Sequence, residues 1–207
     1  MAQRLTVTPA TTPFNVLEDR EAFRGYAKVH EYTLSHQRYD GDTSDVMTRE
    51  VFSSGDAVVV LLYDATRDEV LLTEQFRPGP LPRGDNPWVI EAVAGRIDTD
   101  ETPEQVVRRE ALEEAGCEVG ELVKVAEMYN SPGIFSEYVY LYVGQASLEG
   151  AGGLHGVDDE NEDIKAMVCS FEEAVEALTD GRLRSAPSFV LIQWLAANHD
   201  NLQRKWV

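Results

Sequence analysis

The sequence is poor in cysteine and has no long apolar run. Only two of its 207 residues are cysteine, Cys117 and Cys169, and they show neither a CxxC spacing nor a histidine cluster. They therefore indicate neither a disulfide framework nor a zinc site, and we expect both to be small buried residues. The longest clean apolar run, residues 57–63, is far too short to span a bilayer.

Residues 1–14 also lack the pattern of an export signal, which is a basic start followed by an apolar stretch. We therefore expect a cytoplasmic protein without a membrane anchor.

Positive charge is scarce as well. Eighteen Lys and Arg residues stand against 37 Asp and Glu residues, which gives a net charge of −19. Such a chain repels a nucleic-acid backbone, so nucleic acid is not expected as a partner. An anionic small substrate would need bound metal or clustered arginine to offset the same field.

The first fifty or so residues predict a small antiparallel sheet. Apolar and polar residues alternate over 23–32 and 46–52, with turns at Gly25 and at residues 39–42. This alternation sets the segment apart from the rest of the chain.

Beyond it, the sequence predicts a β-hairpin followed by a long loop. Runs rich in β-formers cover residues 56–63 and 69–76, and residues 78–87 are rich in proline and glycine. A strand over residues 88–94 should then lead directly into a loop that begins at Gly95.

A helix is predicted from Pro103 to about Ala115. Thr102 and Gln105 have the spacing of a capping box, and Gly116 suits the end of the helix. Further along we predict strands over 122–129, 138–145 and 164–170, an acidic loop over 148–163, and helices over 170–181 and 186–198.

Three glutamates of the predicted helix crowd onto one face. Glu110, Glu113 and Glu114 are three and four residues apart, so their side chains fall within about 5–6 Å of one another. Hard divalent cations bind all-oxygen sites of this kind. Arg108 and Arg109 are nearby, but we do not expect them to neutralise the cluster from the same face. The ordinary explanation for such a run is a solvated acidic surface.

The residues around these glutamates favour the metal site. Five residues separate Gly95 from Glu101, and seven more separate Glu101 from Arg109. The chain continues with Glu110, Ala111, Leu112, Glu113, Glu114, Ala115, Gly116 and the apolar Cys117. This resembles the Nudix box, Gly-x5-Glu-x7-Arg-Glu-U-x-Glu-Glu-x-Gly-U with U apolar, at every specified position.

The resemblance extends over nearly the whole chain, to the bacterial ADP-ribose pyrophosphatase branch of the Nudix hydrolases. It rests further on Pro132, on the acidic loop over residues 155–164, and on two N-terminal elements, residues 23–26 and 49–50. It implies an α+β fold: an α/β/α sandwich with a mixed central sheet between helices, plus a small N-terminal antiparallel sheet.

The same resemblance implies a division of labour between two domains. Residues 1–53 would form the N-terminal sheet, which serves dimerisation and the adenine side of the site. Residues 54–207 would form the catalytic Nudix domain. The expected assembly is a homodimer with swapped N-terminal sheets.

Metal ligands are implied residue by residue. They are the Ala94 carbonyl, Glu110, Glu114 and Glu162, which would hold two or three Mg²⁺ ions, with Mn²⁺ as a substitute. Metal would polarise and a carboxylate would deprotonate the water that attacks phosphorus. The resemblance implies AMP and ribose 5-phosphate as products.

Further roles come from the resemblance. Glu160 is the candidate general base, although neighbouring acidic residues of the loop are alternatives. Glu113 would hold the water or a further metal, and Arg109 would position a box carboxylate through a bidentate pair. Glu101 could take either role.

Substrate binding is implied for Tyr26, Arg49, Arg77 and Pro132. Without the resemblance, Arg77 would be interpreted as a surface residue and Tyr26 as a core residue. His155 lies beside glycines and is expected to be a solvated loop residue. Trp88, Trp194 and Trp206 are expected to serve packing.

Other functions remain open at this point. The box reports the diphosphate and not the base or sugar, so another nucleoside diphosphate sugar such as GDP-mannose is an alternative substrate. A non-catalytic module that senses ADP-ribose is a second alternative, although such modules usually lose box glutamates. A structural acidic protein would not need Gly95, Arg109 and Gly116 at these spacings.

Overall fold

The structure is a computed structural model that describes residues 5–9, 11–97, 100–157 and 161–207. Over these residues the chain divides into two compact units. The first comprises the chain up to Ser54 together with Ser131–Glu137, and the second comprises Gly55–Asn130 and Tyr138–Val207. The sequence did not indicate that the segment around Pro132 would cluster with the N-terminal strands.

The first unit is an antiparallel sheet in the order β1-β2-β3. Its strands are β1 (Phe14–Arg24), β2 (Lys28–His36) and β3 (Met47–Ser53). Phe135 pairs with Phe52 at the end of β3, and their rings lie 5.3 Å apart. This pairing ties the segment around Pro132 to the sheet.

The second unit is built on a larger sheet. Its strands are β4 (Asp56–Asp64), β5 (Glu69–Phe76), β6 (Trp88–Glu91), β7 (Val93–Ile97), β8 (Leu122–Tyr129), β9 (Tyr138–Gln145), β10 (Gly153–His155) and β11 (Ile164–Ser170). Its helices are α1 (Pro103–Ala115), α2 (Phe171–Ala177) and α3 (Ala186–Trp206). A 3-10 turn covers Leu81–Arg83.

The large sheet is mixed and has helices on both faces. The strand order is β10-β11-β5-β4-β9-β8, while β6 pairs with β5 and β7 pairs with β4. β4 runs parallel to β9 and antiparallel to β5, its hairpin partner. Alternate residues of β4 pack with α1 on one face and with α2 and α3 on the other. The predicted α/β/α sandwich with a small N-terminal sheet is therefore confirmed.

Several predicted element ends were wrong, each for a local reason. The strand predicted over 88–94 breaks at Ala92, because the chain changes its pairing partner there from β5 to β4. Gly95 lies inside β7 and does not begin a loop. The predicted loop over 148–163 contains β10, which pairs with β11.

The last two helices also differ from prediction. α2 ends at Ala177, because i,i+3 hydrogen bonds tighten the chain into a turn before Gly181. α3 continues to Trp206, since Leu202 and Trp206 prolong its buried stripe past polar residues that are weak helix formers. The helices of the described residues include none that is long and apolar enough to cross a membrane.

The expected packing roles hold only in part. Cys117 is buried and Cys169 is half-buried. Trp206 is buried and Trp194 packs against the core. Trp88 is 46% exposed, because it lies on β6 at the rim of the sheet and contacts Phe76 edge to face.

Candidate active site

Helix α1 presents the box glutamates, and its ends are fixed by the sequence. The hydroxyl of Thr102 accepts from the Gln105 backbone N–H, and the Gln105 side chain accepts from the Thr102 N–H, as predicted. Gly116 ends the helix in the left-handed region at φ 64°. The buried face of α1 consists of Val106, Val107, Ala111, Glu114 and Ala115. A glutamate is therefore part of the face that packs on the sheet.

Glu114 is a buried carboxylate held by backbone. The residue is only 2% exposed, and its Oε2 accepts from the Ala94 N–H at 3.1 Å. Burial raises the pKa of Glu114 to about 8, against the lowering effects of the Ala94 hydrogen bond and the charge of Arg77. The charge of Arg77 and the hydrogen bond from Ala94 therefore do not offset the effect of burial on the pKa of Glu114.

Glu110 lies against Gly95, the next residue along β7. A Cβ added to Gly95 would overlap the Glu110 carboxylate, so glycine is required here for close approach and not for its backbone angles. Burial raises the pKa of Glu110 to about 7, although Arg109 lowers it. The repulsion between Glu110 and Glu114 raises the pKa of Glu114 further.

Arg109 contacts three carboxylates. Its guanidinium donates to Glu110 Oε1 at 2.7 Å, to Glu113 Oε2 at 3.0 Å and to Glu101 Oε2 at 3.2 Å. Arg109 therefore offsets the charge of the cluster in part, which was not expected, but Glu110 and Glu114 still have raised pKa values. Arg109 contacts separate carboxylates and makes no bidentate pair with one.

Arg108 takes a different part. Its guanidinium donates to the carbonyl oxygens of Val119 and Gly120, beyond the end of the helix. These bonds tie α1 to the segment before β8, so Arg108 serves the backbone there and not the glutamates.

Arg77 follows β5 and is paired with Glu91 of β6. Its Nε donates to Glu91 Oε2 at 2.7 Å, and its charge lowers the pKa of Glu114. The sequence pointed to Arg77 but not to Glu91. The available signal was a glutamate at the end of an otherwise apolar strand, next to the box.

The acidic loop contributes Glu162 within the described residues. Its charge raises the pKa of both Glu110 and Glu114, so it faces the same cluster. Gly156 approaches Glu162 closely: a Cβ at Gly156 would lie 2.6 Å from the Glu162 carbonyl oxygen. Glu160, the candidate base, lies outside the described residues.

His155 is not the solvated loop residue that was expected. It is half-buried at the end of β10, where it pairs with Ile164, and its ring lies beside Gly116. Nε2 lies 3.3 Å from the Gly152 carbonyl oxygen. These contacts explain its position without a role in proton transfer.

The remaining substrate candidates belong to the first unit. Tyr26 lies in the turn between β1 and β2 and is 84% exposed, so its interpretation as a core residue was wrong. Arg49 is exposed on β3 and donates to the Thr48 carbonyl at 2.8 Å. Pro132 is exposed in the segment that pairs with β3.

The glutamates fit a divalent cation as a partial donor set. Among the described residues, no three His, Cys, Asp or Glu side chains converge as a ready metal cage. Glu110 and Glu114 nevertheless meet at Ala94 and Gly95, and both carboxyls have raised pKa values. Carboxylates that are partly or fully buried and repel each other are stabilised by a cation, and oxygen donors are those that Mg²⁺ prefers.

Comparison with known proteins agrees with this arrangement. The model of the NUDIX domain matches residues 53–191, so the chain belongs to the NUDIX domain family. The predicted family and the predicted enzyme class, a Nudix pyrophosphohydrolase, are both confirmed.

Named relatives cover almost the whole chain. The ADP-ribose pyrophosphatase of Escherichia coli strain K12 is 37% identical over 202 residues, which are 98% of this chain and 97% of that protein. That of Haemophilus influenzae strain Rd is 34% identical over 92% of this chain and 89% of its own length. The GDP-mannose pyrophosphatase of Escherichia coli O139:H28 is 34% identical over 91% of this chain and 98% of its own length.

A solved structure supports the fold. The crystal structure of an ADP compounds hydrolase superimposes with a TM-score of 0.68 over 92% of this chain and 98% of that chain, at 18% identity.

Proposed function

We propose that this protein hydrolyses the diphosphate of ADP-ribose, by attack of water at phosphorus, to AMP and ribose 5-phosphate. The observation that carries the proposal is the meeting of Glu110 and Glu114 at the backbone of Ala94 and Gly95. This arrangement explains the fixed spacing of the Nudix box, since Gly95 is the position where only glycine leaves room for Glu110.

The choice of ADP-ribose has separate support. The relatives with 37% and 34% identity that cover most of the chain include proteins named ADP-ribose pyrophosphatase. Pro132 matches the position where a proline marks this branch in sequence. Neither of these two observations concerns the glutamates of the proposed metal site. The choice of ADP-ribose as substrate and the hydrolysis of a diphosphate are therefore supported separately.

Divalent metal is the cofactor that the glutamates fit. We assign the Ala94 carbonyl, Glu110, Glu114 and Glu162 as ligands of Mg²⁺, with Mn²⁺ as a substitute and two or three ions per site. When bound, such ions supply positive charge at the diphosphate and lower the pKa of the attacking water.

The other side chains bind, orient or accept a proton. Arg109 holds the carboxylates of Glu110 and Glu113 in place. Glu113 would hold the attacking water or a further metal ion. Arg77, itself oriented by Glu91, binds the diphosphate. Glu160 is the proposed base that takes the proton of water as the bond from phosphorus to the bridging oxygen breaks.

The N-terminal sheet is proposed to serve dimerisation and the adenine side of the site, with Tyr26 and Arg49 as base-contacting residues. Each is exposed, as a ligand contact requires. We further propose that the protein works in the cytoplasm.

A second candidate substrate is GDP-mannose. The relative named GDP-mannose pyrophosphatase is 34% identical over 98% of its own length, which is close to the values of the ADP-ribose pyrophosphatases. The diphosphate chemistry would be the same for both substrates.

The decisive experiment is incubation with Mg²⁺ and a panel of nucleoside diphosphate sugars, followed by chromatography of the products. We expect AMP from ADP-ribose at the highest kcat/KM. GMP from GDP-mannose at a higher kcat/KM would reverse the order of the two candidates. Absence of turnover with tight binding of ADP-ribose would replace hydrolysis with a sensor function.

Glu114→Gln tests the site itself. The amide keeps the size of Glu114 and an oxygen that accepts from Ala94, but it loses the negative charge. We expect at least about 100-fold lower kcat with an unchanged circular dichroism spectrum. The matched control is Glu118→Gln, at an exposed position three residues beyond α1, which should keep wild-type rates. Wild-type rates for Glu114→Gln would remove Glu114 from the site.

A further inference from the structure

The chain changes partners between β6 and β7, immediately before the box begins. Glu91 still pairs with Thr73 of β5, whereas Val93 pairs with Val60 of β4. In the strand pairings of the described residues, Ala92 belongs to neither ladder. Ala92 is also buried, so its N–H needs a partner from outside the sheet.

Ser188 of α3 provides that partner. Its Oγ accepts from the Ala92 N–H at 2.8 Å, and it is fully buried. The hydroxyl donates its hydrogen to Ser185 Oγ at 3.1 Å, which leaves its lone pairs for Ala92. Leu183, a few residues earlier, forms a parallel bridge with Ile90 of β6. The segment that begins α3 therefore holds the strand on both sides of Glu91.

Residues of the candidate site lie on both sides of Ala92 in the sequence. One residue before Ala92, Glu91 binds Arg77. Two residues after it, the Ala94 N–H binds Glu114, and Gly95 then receives the Glu110 carboxylate. α1 and α3 pack on opposite faces of the sheet, so these contacts form a line from α3 through β7 to α1.

We propose that Ser188 is a positioning residue for the metal site: its hydroxyl fixes the strand change at Ala92 and thereby sets Ala94 and Gly95 against Glu114 and Glu110. The inference rests on the proposed function, because it gives Ser188 the role of positioning the metal ligands of that site. Ser188 touches neither metal nor substrate, and it acts through the backbone of β7.

Metal binding in the absence of substrate tests this role. Free Mn²⁺ is measured by electron paramagnetic resonance during titration of the wild type, Ser188→Ala and Ser185→Ala. We expect Ser188→Ala to bind Mn²⁺ roughly 10-fold more weakly, the lower end of the range for groups that orient metal ligands. Ser185→Ala is the matched control, because it keeps the bond from Ala92 to Ser188, and it should bind as the wild type does.

Kinetics give a second readout that a loss of stability alone would not move. The half-activating Mg²⁺ concentration of Ser188→Ala should rise by the same factor, while KM for ADP-ribose at saturating Mg²⁺ stays within about twofold of the wild type. Ser188→Cys keeps a side chain of similar size with a weaker acceptor, so it should weaken Mn²⁺ binding in the same direction. It replaces Ser188→Ala if the alanine variant does not fold.

The outcomes separate the two proposals. Wild-type Mn²⁺ affinity in folded Ser188→Ala or Ser188→Cys would overturn the role of Ser188 alone, even with a lowered melting temperature. Absence of Mn²⁺ binding by the wild type would overturn the proposed function together with this inference.

Discussion

The side chain of Glu110 fills the space that a side chain at position 95 would need. The carboxylate of Glu110 lies where the Cβ of any other residue at position 95 would be. The backbone angles of Gly95 are ordinary for a strand, so its role is steric and confined to the site.

Gly95→Ala should therefore impair activity more than folding. The added methyl group displaces the end of a flexible side chain, which costs little stability but moves the Glu110 carboxylate from its position against Gly95. We expect at least about 10-fold lower kcat at a given Mg²⁺ concentration, with a melting temperature within about 4 °C of the wild type.

The matched control is Gly79→Ala. A Cβ at Gly79 meets no atom within 4 Å, and its φ is not positive. This variant should match the wild type in both kcat and melting temperature. Equal activity of the two variants would show that Glu110 does not need its observed position.

One buried carboxylate, Glu114, and one half-buried carboxylate, Glu110, make the stability of the metal-free protein fall as pH rises. The pKa values of Glu110 and Glu114 are about 7 and about 8, above the ordinary value of 4.5. The folded state therefore holds protons that the unfolded chain releases. The resulting stabilisation is complete below the ordinary pKa and is lost as pH rises through 7 and 8.

We expect the melting temperature in EDTA to fall from about pH 5 to about pH 8 and to level off above that range. Mg²⁺ should restore it at the higher pH, since cations favour the ionised carboxylates. Glu114→Gln should show a smaller fall, because it has no proton to lose at that position. A fall of equal size in that variant would assign the effect to other groups.

Within helix α1, adjacent arginines serve different ends. Arg109 faces the glutamates, whereas Arg108 reaches the carbonyls of Val119 and Gly120. Neighbours on a helix point about 100° apart, so this difference follows from geometry.

Arg109→Ala should lower kcat by at least about 10-fold, because Glu110 and Glu113 lose the group that orients them. Arg108→Ala should instead cost about 1 kcal/mol of unfolding free energy and leave kcat unchanged. Urea denaturation and AMP release measure the two effects. Loss of activity in Arg108→Ala at wild-type stability would contradict this division.

The elements that were predicted well from sequence have strong local signals. The capping box at Thr102 and Gln105 and the glycine at 116 bounded α1 correctly, and the β4–β5 hairpin was correct for similar reasons. The break at Ala92 was missed, because it depends on a change of strand partner from β5 to β4 and on a hydrogen bond to Ser188 of α3, which no local pattern indicates.

For the candidate site, too, the sequence predicted the features that have a local signal and missed those that depend on tertiary contacts. The glutamates of α1 follow from spacing, since i, i+3 and i+4 residues share a helix face. The salt bridge between Arg77 and Glu91 and the contacts of Arg109 depend on tertiary geometry and rotamers. Spacing alone does not determine either one.

At the scale of the whole molecule, the first unit exposes several large apolar side chains on one strand. Every residue of β1 is exposed, including Phe14, Val16, Leu17 and Phe23. Exposed apolar side chains on one strand are a feature that an interface would cover, which agrees with the proposed homodimer.

Leu17→Asp should convert a dimer into a monomer, because it places a charge on this surface. Static light scattering should give twice the chain mass for the wild type and once for the variant. Phe189→Asp, at a partly exposed apolar residue of α3, is a control that should remain dimeric. A wild type that is monomeric at micromolar concentration would contradict the assembly.

The small number of buried residues in the sheet of β1–β3 bears on how this sheet becomes stable. Within the described residues of the first unit, only Ala27, Ser35 and Ser44 are buried, so this sheet has no large apolar side chain in a core of its own. A sheet of this size needs a covered apolar face to be stable in water. Its amide hydrogens should therefore exchange with solvent quickly in dilute samples and slowly in concentrated ones, while those of β4 stay protected throughout. If the proposed homodimer forms, a newly made chain would complete this sheet only after it meets a second copy.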